Sequence, residues 1–528
     1  MGRHSQLAPV TGGAAARAGS APALDLGSLG RRSSLSVAGS VVAAVANVLV
    51  VVAITRGVDR EQAGLFFTVT SLFLLIEVTC RLGTTTGLVY FIPKLRTTGD
   101  TRELRPLLAV ALLPVLTVSV LAAAAVLVAA PALADLFGAG DPAQVVTALR
   151  ILAVFLPVAA AYDAVAAGTL GFQDMLPTVL VERVGRPLAQ LALVTAALAV
   201  GSGALLVPAW AVPYLVALGV SVWALRRDLA RTRIEPGRLP ARPLVGPFWR
   251  YTSPRILANV AQIALQRLDI VLVGALRGPV DAAVYAVATR FLVLGQLGSQ
   301  AVSQAVQPNL AELLAARDIE GTRRLYQMST AWLITVTWPV YLTAATLAPI
   351  VVAVFGAGYS AGSSVVVLLA LTMLVATGCG TVDMLLIMAG KTSWNLANVL
   401  LALTVNIVLN LLLIPPYGIA GAAAAWAVAI LLNNLVPLVQ VRRLLGVQPL
   451  GAQARGVLCL AAVCFGLLPL AGRAAGGLPA AVAALLIGGL AYLTVLWRWR
   501  VRLHLDELRR RRRRRPDGAP VGSDVPSG

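Results

Sequence analysis

The sequence predicts an all-α, polytopic integral membrane protein with about 14 transmembrane helices, in two pseudo-symmetric six-helix lobes plus two C-terminal helices. Three observations support this fold class. Of the 528 residues, 58% are hydrophobic and only 12% are charged, far from the composition of a soluble domain. Apolar runs of roughly 20 residues, long enough to cross a bilayer, recur from Leu35 to Trp499. The two halves of the chain also resemble each other in sequence.

Hydrophobic runs bounded by charge, Gly or Pro locate the helices in order. The first lobe has predicted spans near 35–55, 64–92, 107–129, 144–171, 176–200 and 203–225. The second lobe has predicted spans near 253–276, 279–309, 327–354, 362–389, 393–414 and 418–441. Two further runs, near 455–472 and 476–497, follow this pair of lobes.

These spans divide the chain into six regions. The regions are a disordered cytoplasmic tail at 1–34, an N-lobe at 35–225, a basic cytoplasmic linker at 226–252, a C-lobe at 253–443, two additional helices at 444–498 and a polybasic cytoplasmic tail at 499–528. The last tail contains the run Arg509 to Arg515, which can rest on anionic lipid or fix the membrane topology.

The distribution of positive charge agrees with these spans. Lys and Arg outnumber Asp and Glu by 43 to 23, and most of them lie in the tails and in alternate loops. Because cytoplasmic loops are enriched in Lys and Arg, both termini are predicted to be cytoplasmic. The opposite loops hold only Arg56, Arg60, Arg277 and Arg473. Membrane orientation and anionic headgroups therefore explain the net charge of +20 better than nucleic-acid binding does.

An internal repeat relates the two lobes. Trp210 lies in an Ala-Trp-Ala-Val segment and precedes an Arg-Arg pair at 226, and Trp426 precedes the pair at 442 in the same segment and at the same distance. Since each lobe has an even number of spans, the pseudo-twofold axis must run along the membrane normal. The lobes then face each other across a central cleft, and rocking would open that cleft to one side at a time. Duplication therefore favours a transporter that works by alternating access.

Catalytic and metal chemistry have little support. The only histidines are His4 and His504, in the terminal regions, so the spans contain no histidine for acid–base catalysis or zinc binding. The four cysteines all lie within apolar segments and have no metal-ligand spacing. The protein is predicted not to be an enzyme and to need neither cofactor nor metal.

Charged residues inside the spans are the candidate functional residues, because each ionised side chain there costs at least about 2.5 kcal/mol and needs a partner, water or a ligand. The candidates for a cationic, substrate-binding cleft are Arg81, Arg150, Arg267 and Arg290. Guanidinium groups can bind a diphosphate through two parallel hydrogen bonds. The candidates for ion coupling or for pairing with these arginines are Glu77, Asp163, Asp269 and Asp383.

A structural alternative remains open for these charges. Glu77 and Arg81 are four residues apart on one helix face and can pair with each other, and Asp269 can pair with Arg290. Glu182, Arg183 and Arg186 lie nearer the cytoplasmic end of the fifth span. On the eleventh span, most of the asparagines at 395, 398, 406 and 410 lie on one stripe, for which hydrogen bonding between helices is favoured over sugar contact.

Three stretches resemble a known family. The first runs from Gly57 to Phe66 and leads to Arg81-Leu82-Gly83. The second is Arg267-Leu268-Asp269 with Ala283 to Ala286 and then Arg290. The third runs from Asn395 to Asn410 and continues through Pro415-Pro416-Tyr417-Gly418 into a small-residue helix. In this order, across residues 35 to 445, they are similar to the polysaccharide or O-antigen (Wzx-type) flippase family of the multidrug/oligosaccharidyl-lipid/polysaccharide (MOP) exporter superfamily.

The resemblance implies a flippase that moves a polyprenyl-diphosphate-linked oligosaccharide from the inner to the outer leaflet of the cytoplasmic membrane. The implied process is cell-surface polysaccharide biosynthesis. The implied partners are the lipid-linked saccharide, membrane lipids, and the polymerase and glycosyltransferases of the same pathway. A cation-coupled small-molecule or multidrug exporter and a lipid II-type flippase are the alternatives within the superfamily, and a membrane scaffold that does not transport is a third class.

Overall fold

The computed structural model describes residues 26–138, 141–232 and 242–499. All regular structure within these ranges is helical. The first 25 residues, residues 233–241 of the linker and the polybasic tail from residue 500 lie outside the described residues. The predictions made for those segments therefore stay predictions.

The N-lobe contains nine α-helices. They are α1 Leu26–Gly57, α2 Arg60–Cys80, α3 Thr84–Thr98, α4 Leu104–Leu136, α5 Pro142–Gly171, α6 Met175–Pro177, α7 Arg186–Ala199, α8 Leu206–Ala211 and α9 Pro213–Arg231. Short 3-10 turns at Thr101–Glu103 and Gly203–Leu205 lead into α4 and α8, and a π-helical segment at Thr178–Gly185 joins α6 to α7.

The rest of the chain contains ten α-helices. They are α10 Arg242–Arg277, α11 Pro279–Ala288, α12 Leu292–Ala315, α13 Ile319–Thr346, α14 Ala348–Ala353, α15 Ser363–Gly378, α16 Val382–Met388, α17 Thr392–Leu445, α18 Ala452–Ala461 and α19 Leu468–Trp499. A 3-10 segment at Ala357–Gly362 precedes α15, and a π-helical segment at Ala462–Leu467 joins α18 to α19.

The number of membrane crossings differs from the number of helices, because some helices join into one span and others are divided by a break. Within the described ranges, nine helices are long and apolar enough to cross a membrane, or ten if α11 and α12, bent by 42°, form one span. Non-helical backbone divides α17 at Gly418 (φ 56°, ψ −133°) and divides α19 at Gly476 and Gly477. The all-α polytopic fold class is confirmed, and a total of about 14 crossings is consistent with these breaks.

Helix ends differ from the predicted region boundaries in two places. Helix α1 begins at Leu26, so part of the segment predicted as a disordered tail is helical. Helix α9 continues to Arg231 and α10 begins at Arg242, so helices extend into both sides of the predicted linker. Arginine is a good helix former, and its long side chain lets a membrane helix continue past the apolar boundary.

The repeated tryptophans occupy buried positions in their respective lobes. In the N-lobe, Trp210 packs edge-on against Phe73 and Tyr214, with ring centroids 5.6 Å and 5.7 Å apart. In the C-lobe, the indole N–H of Trp426 donates a hydrogen bond of 3.1 Å to the carbonyl of Leu265. Each tryptophan therefore contributes to the packing of its own lobe.

The two lobes meet at the end of the molecule that charge predicts to be non-cytoplasmic. Gly64 of α2 faces Pro279 of α11, where an added Cβ atom would lie only 1.7 Å from the proline carbonyl oxygen. Nearby, Arg56 Nε donates to the carbonyl of Val354 at 2.8 Å and Arg60 Nη1 donates to that of Gly358 at 3.0 Å. Backbone contact and two charged hydrogen bonds thus join the lobes at this end.

Candidate functional site

Three charged side chains of the N-lobe form one ion-pair cluster. The Nε atom of Arg81 lies 2.5 Å from Glu77 Oε1, and its Nη2 atom lies 2.6 Å from Asp163 Oδ2. Glu77 is buried and the Arg81 side chain is 34% exposed. Because two carboxylates face one guanidinium, Arg81 has no positive charge to spare for a ligand.

A break in the crossing places Arg81. Helix α2 ends at Cys80, and the chain turns through Leu82 (φ 51°) and Gly83 (φ 64°) before α3 begins. Positive φ is costly for leucine, so this turn stores backbone strain beside the ion pairs. Gly83 also lies against α10, where an added Cβ would be 3.3 Å from the carbonyl oxygen of Thr252. The turn therefore directs Arg81 toward α5 while it keeps the lobes in contact.

The π-helical segment contributes a second group of charges. Arg183 Nη1 donates to Ser40 Oγ at 2.6 Å, which connects this segment to α1. Just after the segment, Arg186 Nη1 donates to the hydroxyl of Tyr214 at 2.9 Å, and its guanidinium lies 4.8 Å from the centre of that ring. Glu182 lies within electrostatic range of Arg186, Arg183 and Asp163. π-Helical turns are frequent at functional sites, and here one brings several charges to the same part of the lobe.

The C-lobe presents a different arrangement. Arg267 of α10 and Arg290, at the bend between α11 and α12, are half-buried. Neither has a carboxylate at ion-pair distance among the residues that the structure describes. Arg290 Nε donates to the carbonyl of Ala286 in the last turn of α11 at 2.9 Å. The two guanidinium groups are near enough to repel each other, and Tyr214 of the N-lobe lies within electrostatic range of Arg267.

Asp269 does not pair with Arg290. Its Oδ2 atom accepts a hydrogen bond of 3.0 Å from the Tyr285 hydroxyl, and its Oδ1 atom accepts one of 2.8 Å from Asn410 Nδ2. Asn406 is fully buried and close to the same carboxylate, but its side-chain amide makes no hydrogen bond with any residue that the structure describes. Neutral groups therefore surround this buried carboxylate.

The remaining candidates lie elsewhere. Arg150 is exposed on α5 and has no ion pair within the described ranges. Asp383, in the first turn of α16, lies on the wall of a cavity inside the C-lobe. Of the predicted cationic cleft, the structure thus brings Arg267 and Arg290 together, gives Arg81 to an ion-pair cluster and leaves Arg150 apart.

Sequence reasoning missed the tyrosines of this site. Tyr214 accepts a hydrogen bond from Arg186 and lies within electrostatic range of Arg267, and Tyr285 donates a hydrogen bond to Asp269. A signal was present, because a tyrosine hydroxyl within an apolar helix needs a hydrogen-bond partner when it is buried. Two of the four asparagines of α17 form the expected hydrogen bonds to other parts of the bundle: Asn398 exchanges bonds with Gln440 at 2.7 Å and 3.0 Å, and Asn410 donates to Asp269.

Two protein families match parts of the chain. Residues 29–314 match the family described as "Polysaccharide biosynthesis protein", and residues 254–412 match the family described as "MatE". No curated protein matches the chain by sequence. The class is a multi-pass membrane transporter of the MOP superfamily, and the solved structures that share its fold are named for flipping and transport. The chain belongs to the polysaccharide biosynthesis protein family of that superfamily, as its sequence motifs indicated.

Solved structures share the fold. The lipid II flippase MurJ, in an inward closed conformation, is 14% identical, with a TM-score of 0.66 over 89% of this chain and 99% of that chain. An inward-facing multidrug resistance MATE family transporter of the MOP superfamily is 14% identical, with a TM-score of 0.60 over 77% of this chain and 95% of that chain. A MOP superfamily transporter from Pyrococcus furiosus is 16% identical, with a TM-score of 0.54 over 79% of this chain and 95% of that chain.

Proposed function

We propose that this protein is a flippase that moves a polyprenyl-diphosphate-linked oligosaccharide from the inner to the outer leaflet of the cytoplasmic membrane. It works by alternating access between its two lobes and serves cell-surface polysaccharide biosynthesis. Membership of the polysaccharide biosynthesis protein family supports this cargo, and the fold is similar to that of a protein named as a lipid II flippase. No covalent bond is made or broken in the cycle.

The observation that carries the proposal is the pair of uncompensated arginines. Arg267 lies within the apolar helix α10 and Arg290 at the bend after α11, near each other and without a carboxylate partner in the described ranges. A diphosphate supplies the missing negative charge and accepts paired hydrogen bonds from guanidinium groups. Arg81 acts differently, because Glu77 and Asp163 already neutralise it, and it orders the N-lobe wall.

The test removes each charge while keeping a polar side chain. Arg267→Gln and Arg290→Gln, at normal protein levels, should cause the polyprenyl-diphosphate saccharide to accumulate in extracted lipids, as measured by mass spectrometry. Arg290→Lys should retain part of the activity, because it keeps the charge but loses the two-point contact. The matched control is Arg150→Gln, which removes an exposed arginine of α5 and should leave the lipid profile unchanged. Normal lipids in both cleft variants would contradict the proposal.

We propose that Asp269 and the polar side chains around it couple lipid translocation to a cation gradient. A buried carboxylate beside Asn406, Asn410 and Tyr285 offers oxygen atoms to a small cation or to a proton. Asp269→Asn should therefore slow lipid translocation in reconstituted vesicles and remove its dependence on an imposed sodium or proton gradient. Unchanged gradient dependence would leave Asp269 with a structural role, and Glu77, Asp163 and Asp383 would be tested next.

The second candidate function is export of small molecules by a cation-coupled mechanism, which the match of residues 254–412 to the MatE family favours. A carrier of organic cations needs acidic residues in its cleft. Deletion would then sensitise cells to organic cations and leave lipid-linked saccharides unchanged. A lipid II-type substrate would instead appear in the same mass spectra as an accumulated peptide-bearing lipid.

The proposed setting is the cytoplasmic membrane, with both termini on the cytoplasmic side. The proposed partners are membrane lipids and the polymerase and glycosyltransferases that build the polysaccharide. Reporter fusions at both termini test the orientation: a reporter active only in the cytoplasm should work at either end. Activity of an externally functioning reporter at one terminus would contradict an even number of crossings.

A further inference from the structure

The C-lobe contains a cavity separate from the charged clusters described above. Among the described residues, Asp383 is the one charged residue that lines it. The cavity measures about 250 Å³ and lies among α10, α12, α13, α15, α16 and α17. Side-chain amides form much of its polar wall, together with two serines of α12: Gln262, Gln266, Gln296, Asn433, Asn434, Ser299 and Ser303. We call this cavity the amide chamber.

Most of these amides are free to bind a ligand. Gln262 and Gln266 of α10 are exposed to the chamber although they lie within an apolar helix. Within the described residues, neither they nor Gln296 and Asn433 make a side-chain hydrogen bond, whereas Asn434 donates to the carbonyl of Ile430 at 2.8 Å. Polar side chains in a membrane span face water or a ligand when they lack a protein partner. The chamber is therefore a wet compartment whose amides can exchange water for ligand hydroxyls.

The chamber also has an apolar wall. Trp426 is mostly buried but lines it with the 8% of its surface that is exposed, and its indole N–H is already bonded to the carbonyl of Leu265 at 3.1 Å. The half-buried Met373 extends this surface, and Leu333 packs behind it. An amide can donate to and accept from one hydroxyl, and exposed aromatic and aliphatic carbons pack against the C–H groups of a sugar ring. Amides opposite an apolar wall are thus complementary to a sugar.

The charge of the chamber restricts the kind of sugar. Asp383 is the one ionisable side chain among the lining residues of the described structure, and neither Lys nor Arg lines it. A uronic acid would bring a second carboxylate without a cation to receive it. Gln266, which lines the chamber, directly precedes Arg267 in α10, so one short stretch of this helix carries residues of both the chamber and the proposed diphosphate site.

We propose that the amide chamber binds the uncharged sugar residues of the cargo while Arg267 and Arg290 hold its diphosphate. This assignment rests on the proposed function, since it divides one lipid-linked saccharide between two compartments. It assigns a class of saccharide: neutral, hydroxyl-rich sugars near the lipid are accepted, and uronic acids at the same position are rejected.

The test measures binding to the purified full chain in lipid nanodiscs. The probes are bare polyprenyl diphosphate and polyprenyl-diphosphate-N-acetylglucosamine. Gln262→Leu and Gln266→Leu should each weaken binding of the saccharide probe about three- to tenfold, the equivalent of one lost hydrogen bond, and leave binding of the bare probe unchanged. Gln307→Leu, at an exposed glutamine of α12 outside the chamber lining, is the matched control and should change neither affinity.

Wild-type protein gives a second measurement that does not depend on any variant folding. A probe that carries glucuronic acid in place of N-acetylglucosamine should bind about tenfold more weakly. Equal or tighter binding of the glucuronic acid probe overturns the neutral-sugar assignment. Equal affinity of the bare and saccharide probes, or an equal loss for both in the glutamine variants, overturns the chamber as a sugar site. Failure of wild type to bind either polyprenyl diphosphate probe instead overturns the proposed function.

Discussion

Arginines that are equivalent in the sequence differ in the structure. Arg81 lies 2.6 Å from Asp163 and 2.5 Å from Glu77, whereas Arg290 has only the carbonyl of Ala286 as a bonded partner in the described residues. Breaking a buried ion pair leaves uncompensated charge, but removing an unpaired charge relieves a cost. The same substitution should therefore destabilise the protein at Arg81 but not at Arg290.

Thermal unfolding in detergent without ligand tests this difference. Arg81→Gln should lower the free energy of unfolding by about 1–3 kcal/mol, a figure reduced from that of a fully buried pair because Arg81 is 34% exposed. Arg290→Gln should leave stability unchanged or raise it. If the Arg290→Gln variant were less stable than wild type, Arg290 would have a structural role rather than an anion-binding one.

At the scale of elements, close packing of α2 against α11 closes one end of the molecule. Gly64 leaves no room for a side chain, because its added Cβ would lie 1.7 Å from the backbone oxygen of Pro279. A backbone neighbour cannot rotate away as a side chain can. Even an alanine at this position must move one helix relative to the other.

We expect Gly64→Ala to separate the outer ends of the two lobes. A cysteine placed on the α2 side of this contact should become more accessible to a membrane-impermeant thiol reagent, in a background lacking the natural cysteines. Gly219→Ala is the matched control, since open space surrounds its added Cβ. Equal accessibility in the two variants would show that the contact does not keep this end closed.

At the scale of the whole molecule, the arginines that depart from the positive-inside pattern have a structural explanation. Each donates to a carbonyl in another segment of the chain: Arg56 to Val354, Arg60 to Gly358, Arg277 to Pro415 and Arg473 to Thr346. Cations are favourable near the carbonyl ends of helices. The bonds of Arg56 and Arg60 connect the lobes, whereas that of Arg277 lies within the C-lobe.

Loss of the two bonds between the lobes should shift the conformational equilibrium. The double variant Arg56→Ala and Arg60→Ala should populate a state open at this end, since each exposed charged hydrogen bond contributes up to about 1 kcal/mol. Distances between spin labels on the outer ends of α2 and α11 would report the change. Arg277→Ala is the control, and a distance distribution identical to wild type in the double variant would contradict this role.

The sequence by itself determined the fold class, the two-lobe organisation and the family. Long apolar runs can only become helices in a bilayer, and motifs such as the Pro-Pro-Tyr-Gly turn after Asn410 are local in the chain. The ion pair of Glu77 with Arg81 could be foreseen in the same way, because four residues make one helical turn.

Only the tertiary structure decided which intramembrane charges are compensated. Asp163 pairs with Arg81 from another helix. Asp269 accepts hydrogen bonds from Tyr285 and Asn410 and does not pair with Arg290. Gln262 and Gln266 form a candidate sugar site only because they line the same cavity as Trp426, which lies far along the chain. Periodicity places a residue on a face of its own helix, but its neighbours depend on how helices distant in sequence pack together.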